Sequence, residues 1–186
     1  MSPPTTSPAE APGTRKARVL IIDDHAILRE GLARLINQEA DMVVCGQAEE
    51  APKGFAAVAA LKPDVALVDI SLKGGNGLEL IKNLKASYPK LPILVLSMHD
   101  ECLYAERTLR AGGLGYLTKE EAAESVLVAI RRVLQGEVVL SQRMQTRLLR
   151  QMIGAGNRPS ALGTGQSPTC QLPLVLLPIL TAATVT

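Results

Sequence analysis

Five short apolar runs alternate with stretches of helical periodicity, and this alternation constrains the fold of the chain more than any other feature. Each run is continuously apolar or nearly so, as expected of parallel strands that are covered on both faces. The runs lie at residues 19–22, 42–45, 65–68, 93–96 and 115–117, and the strands that they predict start 22–28 residues apart. One strand, one helix and two short loops fit that interval, so each interval predicts a βα unit.

The stretches between the runs carry apolar residues on one helical face. After the first, third and fifth runs these residues are Leu28, Leu32, Leu35 and Ile36; Leu78, Ile81 and Leu84; and Val126, Ile130, Val133 and Leu134. Such stripes are most simply packing surfaces against a sheet. Five βα units with right-handed crossovers predict an α/β, flavodoxin-like (βα)5 fold, which is a doubly wound parallel sheet with strand order 2-1-3-4-5.

The composition of the 186-residue chain is that of a globular protein, with 47% apolar and 20% charged residues. A net charge of +2 gives no general sign of a nucleic-acid or membrane-surface protein. Three widely spaced cysteines supply neither a disulfide framework nor paired zinc ligands. Because no apolar run reaches the roughly 20 residues of a membrane span and the start lacks an apolar signal core, we expect a cytoplasmic protein.

Changes in composition divide the chain into four segments. Residues 1–16 are rich in proline and are predicted to form a disordered arm. Residues 17–137 hold seventeen of the eighteen acidic residues and form the predicted domain. Residues 138–153 combine arginines with helical periodicity and predict a linker helix. Residues 154–186 contain four prolines and are predicted to be irregular.

Charged and polar residues close four of the five predicted strands. They are Asp23 and Asp24 after the first run, Asp69 after the third, Ser97 after the fourth and Lys119 after the fifth. In an open parallel sheet these carboxyl ends form the ligand-binding edge. Three carboxylates there repel one another unless a cation neutralises them, and a hard divalent ion such as Mg²⁺ suits oxygen ligands. One carboxylate would then be free to attack phosphorus as a nucleophile.

Each of these residues also has an ordinary structural interpretation. Asp24 alone is typical of a helix N-cap, Ser97 alone could cap the following helix, and Lys119 alone could be a solvated surface charge. Taken singly, every residue favours that interpretation. Their joint occurrence at the correct end of each strand favours a functional site.

Four sequence blocks resemble the receiver domain of bacterial response regulators, the phospho-accepting half of two-component signalling. The blocks read DDHAILREGL at 23–32, VDISL at 68–72, VLSM at 95–98 and GYLTK at 115–119. The first two are similar to the NarL/FixJ-type subfamily in particular. The resemblance covers about residues 17–137 and implies a phosphorelay protein rather than an enzyme acting on an external metabolite.

The resemblance implies an acceptor and a metal site. Asp69 is expected to accept a phosphoryl group from a histidine of a cognate sensor kinase. Asp24 is expected to bind Mg²⁺ directly and Asp23 mainly through water, with Asp69 and the backbone carbonyl of Ser71 completing the protein ligands.

The resemblance also implies a switch. Lys119 is expected to pair with the phosphoryl oxygens and Ser97 to donate a hydrogen bond to one of them. Tyr116 is then expected to turn inward behind Ser97, which changes the surface made by the fourth helix, the fifth strand and the fifth helix and permits a phosphorylation-dependent homodimer. His25 is expected to have a structural role at the start of the first helix.

NarL/FixJ-type regulators usually continue into a LuxR-type helix-turn-helix output domain. Residues 154–186 show no such pattern, so we expect an output domain lost through a shifted reading frame, and DNA binding that is weak or absent. A DNA-binding transcription regulator is the alternative function. A phosphatase of the haloacid dehalogenase kind is a third, disfavoured because position 25 is histidine where that class has a second aspartate.

Overall fold

The computed structural model describes residues 15–73, 75–120 and 123–155. Five of its strands form one parallel sheet in the order β2-β1-β3-β6-β7. Counted along the chain, these five strands have the predicted order 2-1-3-4-5, so the flavodoxin-like fold is confirmed. The strands are β1 (Ala17–Ile22), β2 (Met42–Ala48), β3 (Val65–Val68), β4 (Ser71–Leu72), β5 (Gly75–Asn76), β6 (Ile93–Ser97) and β7 (Gly115–Thr118), and the helices are α1 (Ala26–Gln38), α2 (Ala51–Leu61), α3 (Gly77–Ser87), α4 (Glu101–Arg110), α5 (Ala123–Leu134) and α6 (Gln142–Ala155).

Helices cover both faces of the sheet, which explains the continuous apolar runs within its strands. On β1, Val19 and Ile21 join one buried cluster with α1 and α5, whereas Leu20 and Ile22 join a second with α2, α3 and α4. All four side chains are at most 1% exposed. Successive side chains of a strand point to opposite faces, so a strand buried on both faces needs an uninterrupted apolar run.

Two short features differ from the sequence-based expectation. Strands β4 and β5 form a two-residue antiparallel ladder after the third strand of the large sheet, and such short strands leave no periodicity to detect. The predicted linker helix over residues 138–153 begins instead at Gln142. The residues before it extend the sheet edge, because Val139 donates from its N–H to the Leu114 carbonyl and accepts from the Tyr116 N–H, both at 2.9 Å.

Helix α6 packs on the domain beside α4. Met144 and Leu140 are buried in the cluster that includes α4. Ser141 caps α6, since its Oγ accepts from the Met144 N–H at 3.2 Å. Its backbone N–H also donates to Glu101 Oε1 at 2.8 Å and its hydroxyl donates to Glu101 Oε2. The first turn of α6 is thereby joined to the first turn of α4.

Ser141→Ala is expected to lower the free energy of unfolding by about 1–2 kcal/mol, because it removes both the helix cap and one hydrogen bond to the Glu101 carboxylate. Thr146→Ala is the matched control, since the Thr146 hydroxyl is exposed and donates only along its own helix to the Gln142 carbonyl. Urea unfolding of both variants measures the difference. Equal losses would show that the junction with α4 adds nothing to stability.

Several sequence-based predictions concern residues outside the described part of the chain. They are most of the arm predicted over residues 1–16, the irregular tail predicted over 154–186 and the loss of the output domain. Arg15 and Lys16, placed in that arm, are described and contact the domain through Asp64 and the Glu39 carbonyl. Gly154 and Ala155 belong to α6. None of the described helices is long and apolar enough to cross a membrane.

Candidate functional site

Backbone hydrogen bonds of the sheet fix the residues at its carboxyl edge. The Asp69 N–H donates to the Ile22 carbonyl at 2.9 Å, which holds the end of β3 beside the end of β1. The Lys119 N–H donates to the Ser97 carbonyl at 2.9 Å, which holds the end of β7 beside the end of β6. The sheet therefore holds the ends of four strands at one edge.

A buried ion-pair network occupies this edge. Lys119 Nζ lies 2.7 Å from Asp23 Oδ2 and 2.7 Å from Asp69 Oδ2, and all three side chains are at most 3% exposed. Asp24 lies next to them and is mostly buried, with 15% of its side chain exposed. One ammonium faces three carboxylates, so the cluster retains an excess of negative charge.

The excess charge has a structural signature in an unpaired carboxylate oxygen. Within the described part of the chain, Asp69 Oδ1 is buried and accepts no hydrogen bond. Burial raises the pKa of Asp69 above its ordinary value, and the charge of Asp23 adds to that effect, while Lys119 and the Ser71 N–H oppose it. Unpaired buried carboxylate oxygens are costly, and a divalent cation with oxygen ligands would satisfy them. The residues present therefore fit Mg²⁺.

The ring of His25 enters the cluster. His25 is the N-cap residue of α1, but its side chain makes no capping hydrogen bond. Its Nδ1 instead lies 2.8 Å from Asp24 Oδ1, 3.2 Å from Asp23 Oδ1 and 3.7 Å from Asp69 Oδ2. Ligand atoms of these four residues lie within 4.8 Å of one another. His25 is thus part of the site as well as the first residue before α1.

A second network lies between Ser97 and the surface. The His99 N–H donates to Ser97 Oγ at 3.2 Å, and the Tyr116 hydroxyl donates to the His99 carbonyl at 2.7 Å. The His99 ring contacts Ser71 Oγ through Nε2 at 2.8 Å and stacks on Tyr104 of α4 at 4.6 Å between centroids. Tyr116 is fully buried, and burial raises its pKa to about 12. His99 therefore connects Ser71, two residues after Asp69, with Ser97, Tyr116 and α4.

Residues 19–131 match the response regulator receiver domain. The chain belongs to that family. The resemblance seen in the sequence is thereby confirmed, and the protein is a response regulator receiver of two-component signalling, a family that works with a histidine kinase partner.

Individual relatives agree with the family match. The receiver is similar to the oxygen regulatory protein NreC of Staphylococcus aureus (strain JH9), with 34% identity over 145 residues that cover 77% of this chain and 67% of NreC. Among solved structures it is similar to a LuxR-family two-component response regulator from Aurantimonas sp. SI85-9A1, with a TM-score of 0.69 and 27% identity over 75% of this chain and 99% of that one. It is also similar to the receiver domain of the putative response regulator NarL from Mycobacterium tuberculosis, with a TM-score of 0.63 and 28% identity over 66% of this chain and 98% of that one.

The structure of the receiver brings together four of the residues singled out in the sequence, namely Asp23, Asp24, Asp69 and Lys119. Ser97 and Tyr116 belong to the adjoining network through His99, and in this conformation the Tyr116 ring already lies inward. Ser71 lies two residues after Asp69, and its N–H lowers the pKa of the Asp69 carboxyl. The functional roles assigned to these residues stay predictions.

Sequence reasoning gave His25 only a structural role and left open the role of His99, which follows Ser97. His25 directly follows the acidic pair, and this position at the carboxyl end of β1 was the signal that could have placed it in the site. His99 has a comparable position just after the carboxyl end of β6, but this position does not identify its partners. Its bonds to Ser71 and Tyr116 depend on contacts between residues 28 and 17 positions apart, which only the folded chain reveals.

Proposed function

We propose that this receiver accepts a phosphoryl group on Asp69 from a phosphohistidine of a partner sensor kinase. A carboxylate oxygen of Asp69 attacks phosphorus, the nitrogen–phosphorus bond of the donor breaks, and an acyl phosphate forms on the receiver. The observation that carries this proposal is the asymmetry of the Asp69 carboxylate. Oδ2 is held by Lys119 at 2.7 Å, whereas Oδ1 is buried within the acidic cluster and has no hydrogen-bond partner among the described residues.

Asp23, Asp24, Asp69 and the backbone carbonyl of Ser71 would hold Mg²⁺. The ion supplies positive charge to the phosphoryl oxygens and offsets the repulsion between the incoming group and the acidic cluster. Polar side chains cover Asp69: His25 Nδ1 and Lys119 Nζ lie 3.7 and 2.7 Å from Oδ2. The His25 side chain is half exposed, so it can rotate away and open the acceptor to a partner.

We propose that Lys119 and Ser97 recognise the transferred group. The Lys119 ammonium would move from Asp69 Oδ2 to a phosphoryl oxygen, which keeps it paired while new negative charge develops. Ser97 would donate a hydrogen bond from its hydroxyl to a second phosphoryl oxygen. Its Oγ accepts from the His99 N–H, so reorientation of Ser97 acts directly on the residue that binds Tyr116 and stacks on α4.

The proposed output is therefore a change at the surface made by α4, β7 and α5, with a homodimer as one consequence. Turnover is limited to phosphorylation of the receiver itself and hydrolysis of its own acyl phosphate. The reaction takes place in the cytoplasm, since a histidine kinase draws its phosphoryl group from ATP.

DNA binding is not favoured, because the helices in the described part of the chain either belong to the receiver domain or pack on it.

Acetyl phosphate with Mg²⁺ tests this proposal through the intact mass of the protein. We expect wild type to gain one phosphoryl group of about 80 Da and Asp69→Asn to gain none, because the amide is not a nucleophile. Asp64→Asn is the matched control and should gain the same mass as wild type. Asp64 precedes β3, at the end of the strand opposite Asp69, and pairs with Arg15 and the Arg18 N–H. An unchanged mass gain in Asp69→Asn would refute the assignment of the acceptor.

A further inference from the structure

We infer that His25 Nδ1 is a ligand of the cation site and makes that site selective for first-row transition ions, such as Co²⁺ or Zn²⁺, over Mg²⁺. This inference rests on the proposed cation site and adds a specificity to it. Imidazole nitrogen is a good ligand for zinc, copper, iron and nickel, whereas Mg²⁺ prefers oxygen. A site of carboxylates alone would show this preference more weakly.

The distances within the cluster suit a common ion. His25 Nδ1 lies 2.8, 3.2 and 3.7 Å from oxygens of Asp24, Asp23 and Asp69. Neighbouring ligand atoms around an ion with bonds of about 2.1 Å lie about 3 Å apart. Two of the three distances already have that value. Small rotations of half-exposed His25 would accommodate the third.

The orientation of the ring argues for the ligand role over an ordinary helix cap. The His25 side chain makes no capping hydrogen bond to α1, although it occupies the N-cap position. The ring points instead at the acids, one of which, Asp69, is about 1% exposed and carries an unpaired buried oxygen. That oxygen is an independent sign of a missing positive partner.

The charges of the cluster favour a divalent ion. Three carboxylates and the Lys119 ammonium leave two negative charges if His25 is neutral. Lys119 Nζ lies 2.7 Å from Asp23 and Asp69 and 3.3 Å from His25 Nδ1, so a cationic group already contacts the same set of atoms. A divalent ion beside it would neutralise the remaining charge and use the lone pair of Nδ1.

Calorimetric titration of the full chain with Co²⁺ and with Mg²⁺ tests the inference, with the visible absorption of bound Co²⁺ as a second readout. We expect His25→Ala to lower Co²⁺ affinity by about 10- to 100-fold, the range for disturbing the surroundings of a metal, and to alter the Co²⁺ spectrum. Mg²⁺ affinity should be little changed. Asp64→Asn is the matched control, because Asp64 is a carboxylate at the end of β3 opposite Asp69 and pairs with Arg15 and the Arg18 N–H.

The diagnostic quantity is the ratio of the two affinities, since carboxylates alone also bind Co²⁺ more tightly than Mg²⁺. An unchanged ratio in His25→Ala would overturn the inference, and so would an equal loss in Asp64→Asn. Retained Mg²⁺ binding shows that the variant is folded. Phosphorylation of wild type with Mg²⁺ separates the acceptor role of Asp69 from the ligand role of His25. If Asp69 is phosphorylated but His25→Ala leaves the affinity ratio unchanged, only the ligand role of His25 fails.

Discussion

Lys119→Met is expected to lower the free energy of unfolding at neutral pH by about 3–5 kcal/mol, the cost of removing one partner from a buried ion pair. Lys119 Nζ lies 2.7 Å from both Asp23 and Asp69, and its side chain is 1% exposed. Methionine preserves the length of the side chain and removes its charge, so three carboxylates remain without their ammonium. Phosphorylation by acetyl phosphate should also slow by about 100-fold, because a positioned group that stabilises developing charge is lost.

Lys82→Met is the matched control for this variant. Lys82 Nζ forms an ion pair with Glu79 at the same distance of 2.7 Å, but both side chains are about 60% exposed. Exposed pairs are screened by water, so we expect a change of about 0.5 kcal/mol or less. Urea unfolding in the presence of EDTA compares the two variants without a contribution from bound metal. Similar losses in both would show that burial at the site does not amplify the interaction.

The deficit of Lys119→Met should shrink as the pH falls. Burial raises the folded-state pKa of Asp69 above the unfolded value, so the folded protein holds more protons between the two values and loses stability as the pH rises through that window. Lys119 opposes this shift, and its removal extends the window to higher pH. Below this pH window, Asp69 is protonated in both the folded and the unfolded state, so the loss of the Lys119 ammonium costs less stability. Unfolding at several pH values measures this trend.

The fold could be predicted from the sequence because its repeating unit is local. Each βα unit lies within about 22–28 consecutive residues, and burial on both faces gives every central strand a continuous apolar run. The carboxyl edge follows from the same reasoning, since parallel strands end at one edge. The sequence therefore predicts that Asp23, Asp69 and Lys119 lie together.

Contacts that depend on tertiary packing could not be predicted in the same way. The junction of α6 with α4 joins Ser141 to Glu101 across 40 residues, and the bond between His99 and Ser71 spans 28. Neither leaves a periodic pattern in the sequence. The direction of the His25 ring is likewise set by contacts in the folded chain, those with Asp23 and Asp24.

Gly77→Ala is expected to destabilise the protein by about 3 kcal/mol, because the added carbon has no room. Gly77 begins α3, and its N–H donates to the Ile70 carbonyl at 2.9 Å, which holds the start of α3 against the end of β3. A Cβ at this position would lie 2.1 Å from the Asp69 carbonyl oxygen and 2.7 Å from Ile70 Cα. Both are backbone atoms, so the end of β3 and the acceptor itself must move.

A displaced Asp69 should also react more slowly, since a shift of about 1 Å in a reacting group can cost about 100-fold in rate. Gly31→Ala is the matched control: Gly31 lies in α1, is exposed, and a Cβ there meets nothing within 4 Å. Alanine is the better helix former, so this variant should gain about 0.5–1 kcal/mol and keep the phosphorylation rate of wild type. Thermal unfolding and the rate of mass gain with acetyl phosphate measure both effects. If Gly77→Ala had the same stability and phosphorylation rate as Gly31→Ala, close packing of α3 against the end of β3 would not be what positions Asp69.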